Sequence, residues 1–128
     1  YRTPWEYEHN MMFILERLLA EKHGDSAFHS GVCLPVLVTP PPVVDTDFYP
    51  FTTTDRIEKY GEIVKKLAKG YHCPVIDVYQ AVLDIKEAQG FEAYDALFQF
   101  DGVHWSNAGY DVFYALLEKE ILALTENF

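Results

Sequence analysis

The chain is predicted to be an α/β protein in which parallel strands are buried between helices. Three observations carry this. Two short apolar runs rich in β-branched residues, Val32 to Val38 and Val75 to Val78, stand on either side of a stretch with helical periodicity. The first run shows no polar alternation, as befits a strand covered on both faces of a parallel sheet. One amphipathic stretch precedes it, and two short helical stretches and one long one follow the second run.

Taken in order, the first helix is announced by Thr3-Pro4-Trp5-Glu6. Thr3 suits the N-cap, Pro4 the first helical position, and Glu6 completes a capping box. Tyr7, Met11, Ile14, Leu15 and Leu18 then mark an apolar face at helical spacing. Residues 23–31 read as loop. The strand Val32–Val38 follows, with Pro35 leaving its start open, and Pro40-Pro41-Pro42 ends it because proline cannot donate to a ladder. Asp55 or Thr54 is expected to cap a second helix that turns Ile57, Tyr60, Gly61, Val64, Leu67 and Ala68 inward and stops at Gly70. Val75 to Val78 is the second strand, and the strand–helix–strand unit implies a right-handed crossover with parallel strands. Helices over 79–89 and 92–98 are split by Gly90. From Asn107 a last helix carries Tyr110, Phe113, Leu116, Leu117, Ile121 and Leu124 on its inward side.

Composition excludes several classes of function. At 128 residues the chain is one domain or part of one, and 49% hydrophobic with 16% aromatic residues is ample for a packed core. A net charge of −10, with ten scattered basic residues, disfavours nucleic acid and anionic membrane as partners. No run of about 18 apolar residues suggests a membrane span. The five histidines and two cysteines lack the short repeated spacing of a metal site, so no metal or cofactor is expected. Cys33 and Cys73 sit at or beside the two strands and read as free, buried thiols. No secretory leader is visible, and the compartment stays open with the cytoplasm as default expectation.

The chemistry concentrates in Asp101-Gly102-Val103-His104-Trp105-Ser106-Asn107-Ala108-Gly109, a loop that leads straight into the last helix. An Asp three residues before a His on one tight turn can accept from the Nδ1–H of that His. Nε2 is then left to take a proton from a nucleophile. Ser106 is a suitable N-cap, and Gly102 and Gly109 permit close backbone turns. A purely structural loop-to-helix hydrogen bond is the alternative for the Asp101–His104 pair. Trp105 either lines an acyl or alcohol pocket or packs in the core. The proline loop, with Pro41 at its centre, either borders a substrate or only ends the strand. Asp77 reads first as a helix cap.

This block resembles the C-terminal catalytic segment of the GDSL, or SGNH, hydrolases, where Asp-x-x-His supplies two members of a Ser-His-Asp triad. Leu37-Val38-Thr39-Pro40-Pro41-Pro42-Val43 and Glu6-Tyr7-Glu8-His9-Asn10 resemble the subgroup similar to isoamyl acetate-hydrolysing esterase. Arg56-x-x-x-Tyr60 and Cys73-Pro74-Val75-Ile76-Asp77-Val78 fall in the matching order, so the resemblance spans nearly all of residues 3–124. It implies the C-terminal part of a flavodoxin-like three-layer α/β/α sandwich with parallel strands. Residues 1–128 would be the C-terminal portion of one hydrolase domain, whose nucleophile and oxyanion blocks lie ahead of Tyr1. The implied activity is hydrolysis of small-molecule acyl esters, with Asp101 and His104 catalytic and Trp105 and Pro41 beside the substrate. The alternative is a catalytically inactive remnant or truncated fragment acting as an interaction module. Self-association, or pairing with the missing N-terminal half, is expected.

Gly24-Asp25-Ser26 spells the nucleophile motif of that family. The mechanism needs the Ser on a sharp turn after a buried strand. Here the residues before it, Leu15 to Lys22, read as a helix, so Gly24 reads as a helix C-cap and Ser26 as a loop residue.

Overall fold

The computed structural model describes residues 2–21 and 34–126. The reading of residues 23–31, of the thiol of Cys33, and of Gly24-Asp25-Ser26 lies outside the described residues. Seven elements follow one another: α1 (Pro4–Ala20), β1 (Leu37–Val38), α2 (Thr54–Tyr71), β2 (Val75–Ile76), α3 (Val78–Gln89), α4 (Phe91–Asp95) and α5 (Asn107–Thr125). β1 and β2 pair in parallel, Leu37 opposite Val75 and Val38 opposite Ile76. The protein is therefore α/β, mostly helical, around a small parallel sheet.

Apolar side chains gather on two sides of that strand pair. Leu37 of β1 joins Leu15 of α1 and Val64, Leu67 and Ala68 of α2. Ile76 of β2 joins Val78 and Val82 of α3, Tyr94 of α4, and Leu97 and Phe98 beyond it, with Trp105, Phe113, Leu116 and Leu117 packed against them. Two-residue strands contribute little by themselves, so the sheet is held in place by these helical layers.

Both strands are shorter than the apolar runs suggest. In Leu34–Val36, which precedes β1, no residue is in a ladder, and Pro35 has no N–H to give one. β2 ends at Ile76 because Asp77 is taken as the N-cap of α3: its carboxylate accepts from Gln80 N–H at 3.1 Å and from the Thr39 hydroxyl at 3.0 Å. Thr39 is itself buried, and its oxygen accepts from Tyr79 N–H at 3.0 Å. One hydroxyl thus fastens the end of β1 to the start of α3. Thr39→Val keeps the shape but leaves the buried Tyr79 N–H without an acceptor. We expect a loss of about 1–3 kcal/mol in urea unfolding; an unchanged midpoint would contradict the role given to this hydroxyl.

The helix signals are met in part. At α1 the capping box is complete, Thr3 Oγ1 accepting from Glu6 N–H at 3.2 Å and Glu6 accepting from Thr3 N–H at 2.8 Å. Ile14, expected inward, is exposed, while Tyr7 and Met11 pack against the core. The N-cap of α2 is Thr53, not Thr54 or Asp55, and its side chain makes no cap bond. Instead Asp45 from the preceding loop accepts the Thr54 N–H at 3.1 Å. Nor does Gly70 stop this helix. It runs on to Tyr71 and ends through His72 in the left-handed region (φ 55°). α4 is five residues long, because the chain after Asp95 turns into the loop that carries Asp101. Along α5, Phe113, Leu116, Leu117 and Leu124 are half-buried, but Tyr110 and Ile121, expected inward, are exposed. The helix carries apolar residues around more than one face. Only the face bearing Phe113, Leu116 and Leu117 meets the core among the described residues.

Candidate active site

The segment 97–106 leaves the core and returns to it as a closed loop. Phe98 and Trp105 form an antiparallel bridge at its neck. Ser106 N–H donates to Leu97 O at 2.9 Å, Gln99 N–H to His104 O at 2.7 Å, and Gly102 N–H to Gln99 O at 2.9 Å. Gly102 turns the chain with φ +74°, a conformation that side-chain-bearing residues rarely adopt. Its carbonyl accepts from Val44 N–H at 2.9 Å, and the Thr46 hydroxyl donates to Asp101 O at 2.8 Å. The loop after β1 therefore clasps the backbone carbonyls of Asp101 and Gly102. Ser106 closes the segment as N-cap of α5, accepting from Gly109 N–H at 3.2 Å while donating to Ala96 O at 2.6 Å.

This scaffold orients the two candidate catalytic side chains completely. Asp101 Oδ1 accepts from the backbone N–H groups of Val103 and His104, both at 3.0 Å. The other oxygen, Oδ2, stands 2.5 Å from His104 Nδ1. The Asp101 side chain is only 11% exposed, whereas that of His104 is 63% exposed. No described residue hydrogen-bonds Nε2, so the far side of the ring meets open space. With Nδ1–H given to Asp101, the neutral imidazole presents its Nε2 lone pair outward.

The same bonds hold the Asp101 carboxyl at about 2, down from its ordinary 3.8. The bond from the His104 ring contributes most, followed by the two backbone N–H groups, which outweigh burial. A carboxyl lowered in the folded state stabilises it fully above the unfolded value. That contribution fades as pH falls from about 3.8 and is gone below about 2. A carbon-detected NMR titration should accordingly find Asp101 ionised at pH 3. A midpoint near 3.8 would show that the bonds around it do not persist in solution.

The other residues singled out by the sequence occupy different positions. Trp105 is stacked between Phe98 and Phe113, with ring centroids 5.1 and 6.1 Å away, so its contacts are those of a core residue. Of the three prolines, Pro42 is buried, Pro41 is half-buried, and it is Pro40 that lines a cavity. Asp77 is a cap with an additional contact to Lys65 at 3.4 Å, and it takes no part in the Asp101–His104 arrangement. Among the described residues, no group of three or more His, Cys, Asp or Glu is placed to hold a metal ion. No described helix is long and apolar enough to cross a membrane.

Sequence reasoning missed the clasp and the aromatic rim. Thr46 and Val44 lie more than fifty positions before the peptide they hold, and nothing in their local sequence marks them. Tyr49 brings its ring to 6.4 Å from that of His104, and Phe48 meets Phe100 edge-on at 5.3 Å. The aromatic density of residues 48–51 was the available signal.

No protein-family model and no curated protein matches the chain. Among solved structures it is similar to a lipase/acylhydrolase from Enterococcus faecalis, with a TM-score of 0.70 and 23% identity over 94% of this chain and 52% of that one. It is also similar to an α/β hydrolase enzyme from the metagenome of Lake Arreo, Spain, with a TM-score of 0.66 and 20% identity over 91% of this chain and 46% of the other. The chain thus spans about half the length of the structures it resembles. At this level of identity the likeness is one of fold.

Proposed function

We propose that the chain is the C-terminal portion of an SGNH-type ester hydrolase and that Asp101 and His104 serve a serine nucleophile contributed from outside residues 1–128. The observation that carries this reading is the bond of 2.5 Å between Asp101 Oδ2 and His104 Nδ1, with Nε2 turned to open space. A structural histidine would be expected to bury its ring or bond both nitrogens. Here the carboxylate is buried and the ring exposed. The likeness in fold to a lipase/acylhydrolase and an α/β hydrolase supports the same class of chemistry, as does the order of the sequence blocks.

In the mechanism that follows, serine attacks an ester carbonyl and His104 Nε2 takes its proton. His104 returns that proton to the departing alcohol, and water repeats the cycle on the acyl-enzyme. Asp101 holds the tautomer and stabilises the imidazolium without itself taking the proton. The clasp from Val44 and Thr46 would keep the loop from drifting between steps.

The test is hydrolysis of p-nitrophenyl acetate by two preparations. One is the isolated chain, and the other is the chain together with whatever its gene encodes ahead of Tyr1. The isolated chain is expected to hydrolyse little and to self-associate. The outer edge of β1 and the exposed Val38, Tyr110 and Ile121 would seek cover. The longer product is expected to turn over substrate, with Ser26→Ala without effect. Serine-dependent turnover by a monodisperse monomer of residues 1–128 would refute the assignment of the nucleophile.

A further inference from the structure

Behind the loop that faces His104 lies a cavity of about 300 Å³, within the lower range of small-molecule sites. It opens where β1 gives way to Pro40. Tyr7 of α1, Ile57 and Tyr60 of α2, and Phe51 of the loop give it apolar walls, and Arg2 and Arg56 stand at it. The chain has only three arginines, and two of them line this cavity. In a protein of net charge −10 this brings two cations to one place, with the Glu6 carboxylate beside Arg2.

The arrangement is held together by its own bonds. Arg56 Nη1 donates to Phe51 O at 2.9 Å, and the Tyr60 hydroxyl donates to Arg2 O at 2.5 Å. Tyr7 packs edge-on against Tyr60 at 5.0 Å. Arg2 also meets Glu6 at 3.5 Å, but that pair is exposed, and Glu6 is already engaged by the capping box. An entering anion competes with it at little cost. Phe51 is 75% exposed, an apolar ring left facing water at the cavity. Tyr49, two residues before it, stands beside the His104 ring, so cavity and dyad are bordered by the same loop.

We propose that this cavity binds an amphiphilic monocarboxylate, its chain against Phe51, Ile57 and Tyr7 and its carboxylate paired with Arg56 and Arg2. Guanidinium groups match a carboxylate in geometry as well as charge. The ester hydrolase reading supplies the two sources of such a ligand: the acid released by hydrolysis, or an ester that carries a second carboxylate away from the bond cleaved. Binding itself does not depend on catalysis.

The probes are sodium hexanoate, 1-hexanol and monoethyl adipate, titrated into the complete gene product and followed by ¹H–¹⁵N NMR. Hexanoate is expected to bind saturably, with shifts at Phe51, Arg56 and Ile57, and hexanol at least about tenfold more weakly. Arg56→Gln and Arg2→Gln should each weaken hexanoate about tenfold, and Arg17→Gln, at the other end of α1, should not. Thermal melts check that Arg56→Gln is folded. Should it not be, Arg2→Gln decides, because Arg2 is exposed. If monoethyl adipate also shifts the His104 ring, the ligand is a substrate. If it binds without doing so, the ligand is the released acid. Equal binding of hexanoate and hexanol, no binding of either, or wild-type affinity in both arginine variants overturns the proposal. Hydrolysis by the longer product without hexanoate binding would remove this site alone. Hexanoate binding without hydrolysis would remove the hydrolase reading and leave the site.

Discussion

His104→Ala is expected to lower ester hydrolysis by the complete gene product by roughly 10⁴-fold or more, while the protein still folds, with only the stability that the ring lends Asp101 lost. Both halves follow from one geometry. The His104 side chain is mostly exposed and, among the described residues, its ring hydrogen-bonds only to Asp101, so its removal opens no cavity. Its backbone N–H still donates to Asp101 Oδ1, and its carbonyl still accepts from Gln99. What disappears is the base, together with the largest cause of the lowered Asp101 carboxyl. Steady-state kinetics beside a thermal melt at pH 7 would check both. A variant that keeps its turnover would reduce the dyad to a structural bond.

Gly109→Ala is the second large effect, and its sign is diagnostic. Gly109 lies in the first turn of α5, where alanine would ordinarily stabilise a helix by about 1 kcal/mol. Here a Cβ would stand 2.1 Å from Leu97 O and 2.5 Å from a Trp105 ring carbon. Neither neighbour yields cheaply. Leu97 O accepts the Ser106 N–H at the neck of the loop, and Trp105 is stacked between two rings. Overpacking against backbone outweighs propensity, and a net loss of about 3 kcal/mol is expected, by equilibrium urea unfolding. Because the shift would pull α5 from the loop, activity should fall with stability. A stabilised variant would mean that α5 packs less closely on the loop than described.

What could be read from the sequence was whatever depends on neighbours a few positions away. The Thr3–Glu6 capping box, Ser106 as N-cap, and the tight turn joining Asp101 to His104 are all local, and each stands where its spacing put it. The parallel pairing of the two apolar runs also followed, since a helix between them leaves few alternatives. Strand length did not follow, because it depends on which backbone groups find partners and on Asp77 being claimed by Thr39 and Gln80. The inward face of α5 was misread at Tyr110 and Ile121 because apolarity around a helix does not say which side meets a neighbour. Nor could spacing reveal the Val44 and Thr46 clasp or the pairing of Arg2 with Arg56 around one cavity. Those groups meet only after the chain folds.

The dyad is proposed to serve a serine outside residues 1–128. The most direct test is to label the complete gene product with a fluorophosphonate and to identify the modified serine by peptide mass spectrometry. Stoichiometric labelling of one serine ahead of Tyr1 is expected, slowed by at least roughly 100-fold in His104→Ala. Labelling of Ser26, or labelling at an unchanged rate when His104 is replaced, would contradict it.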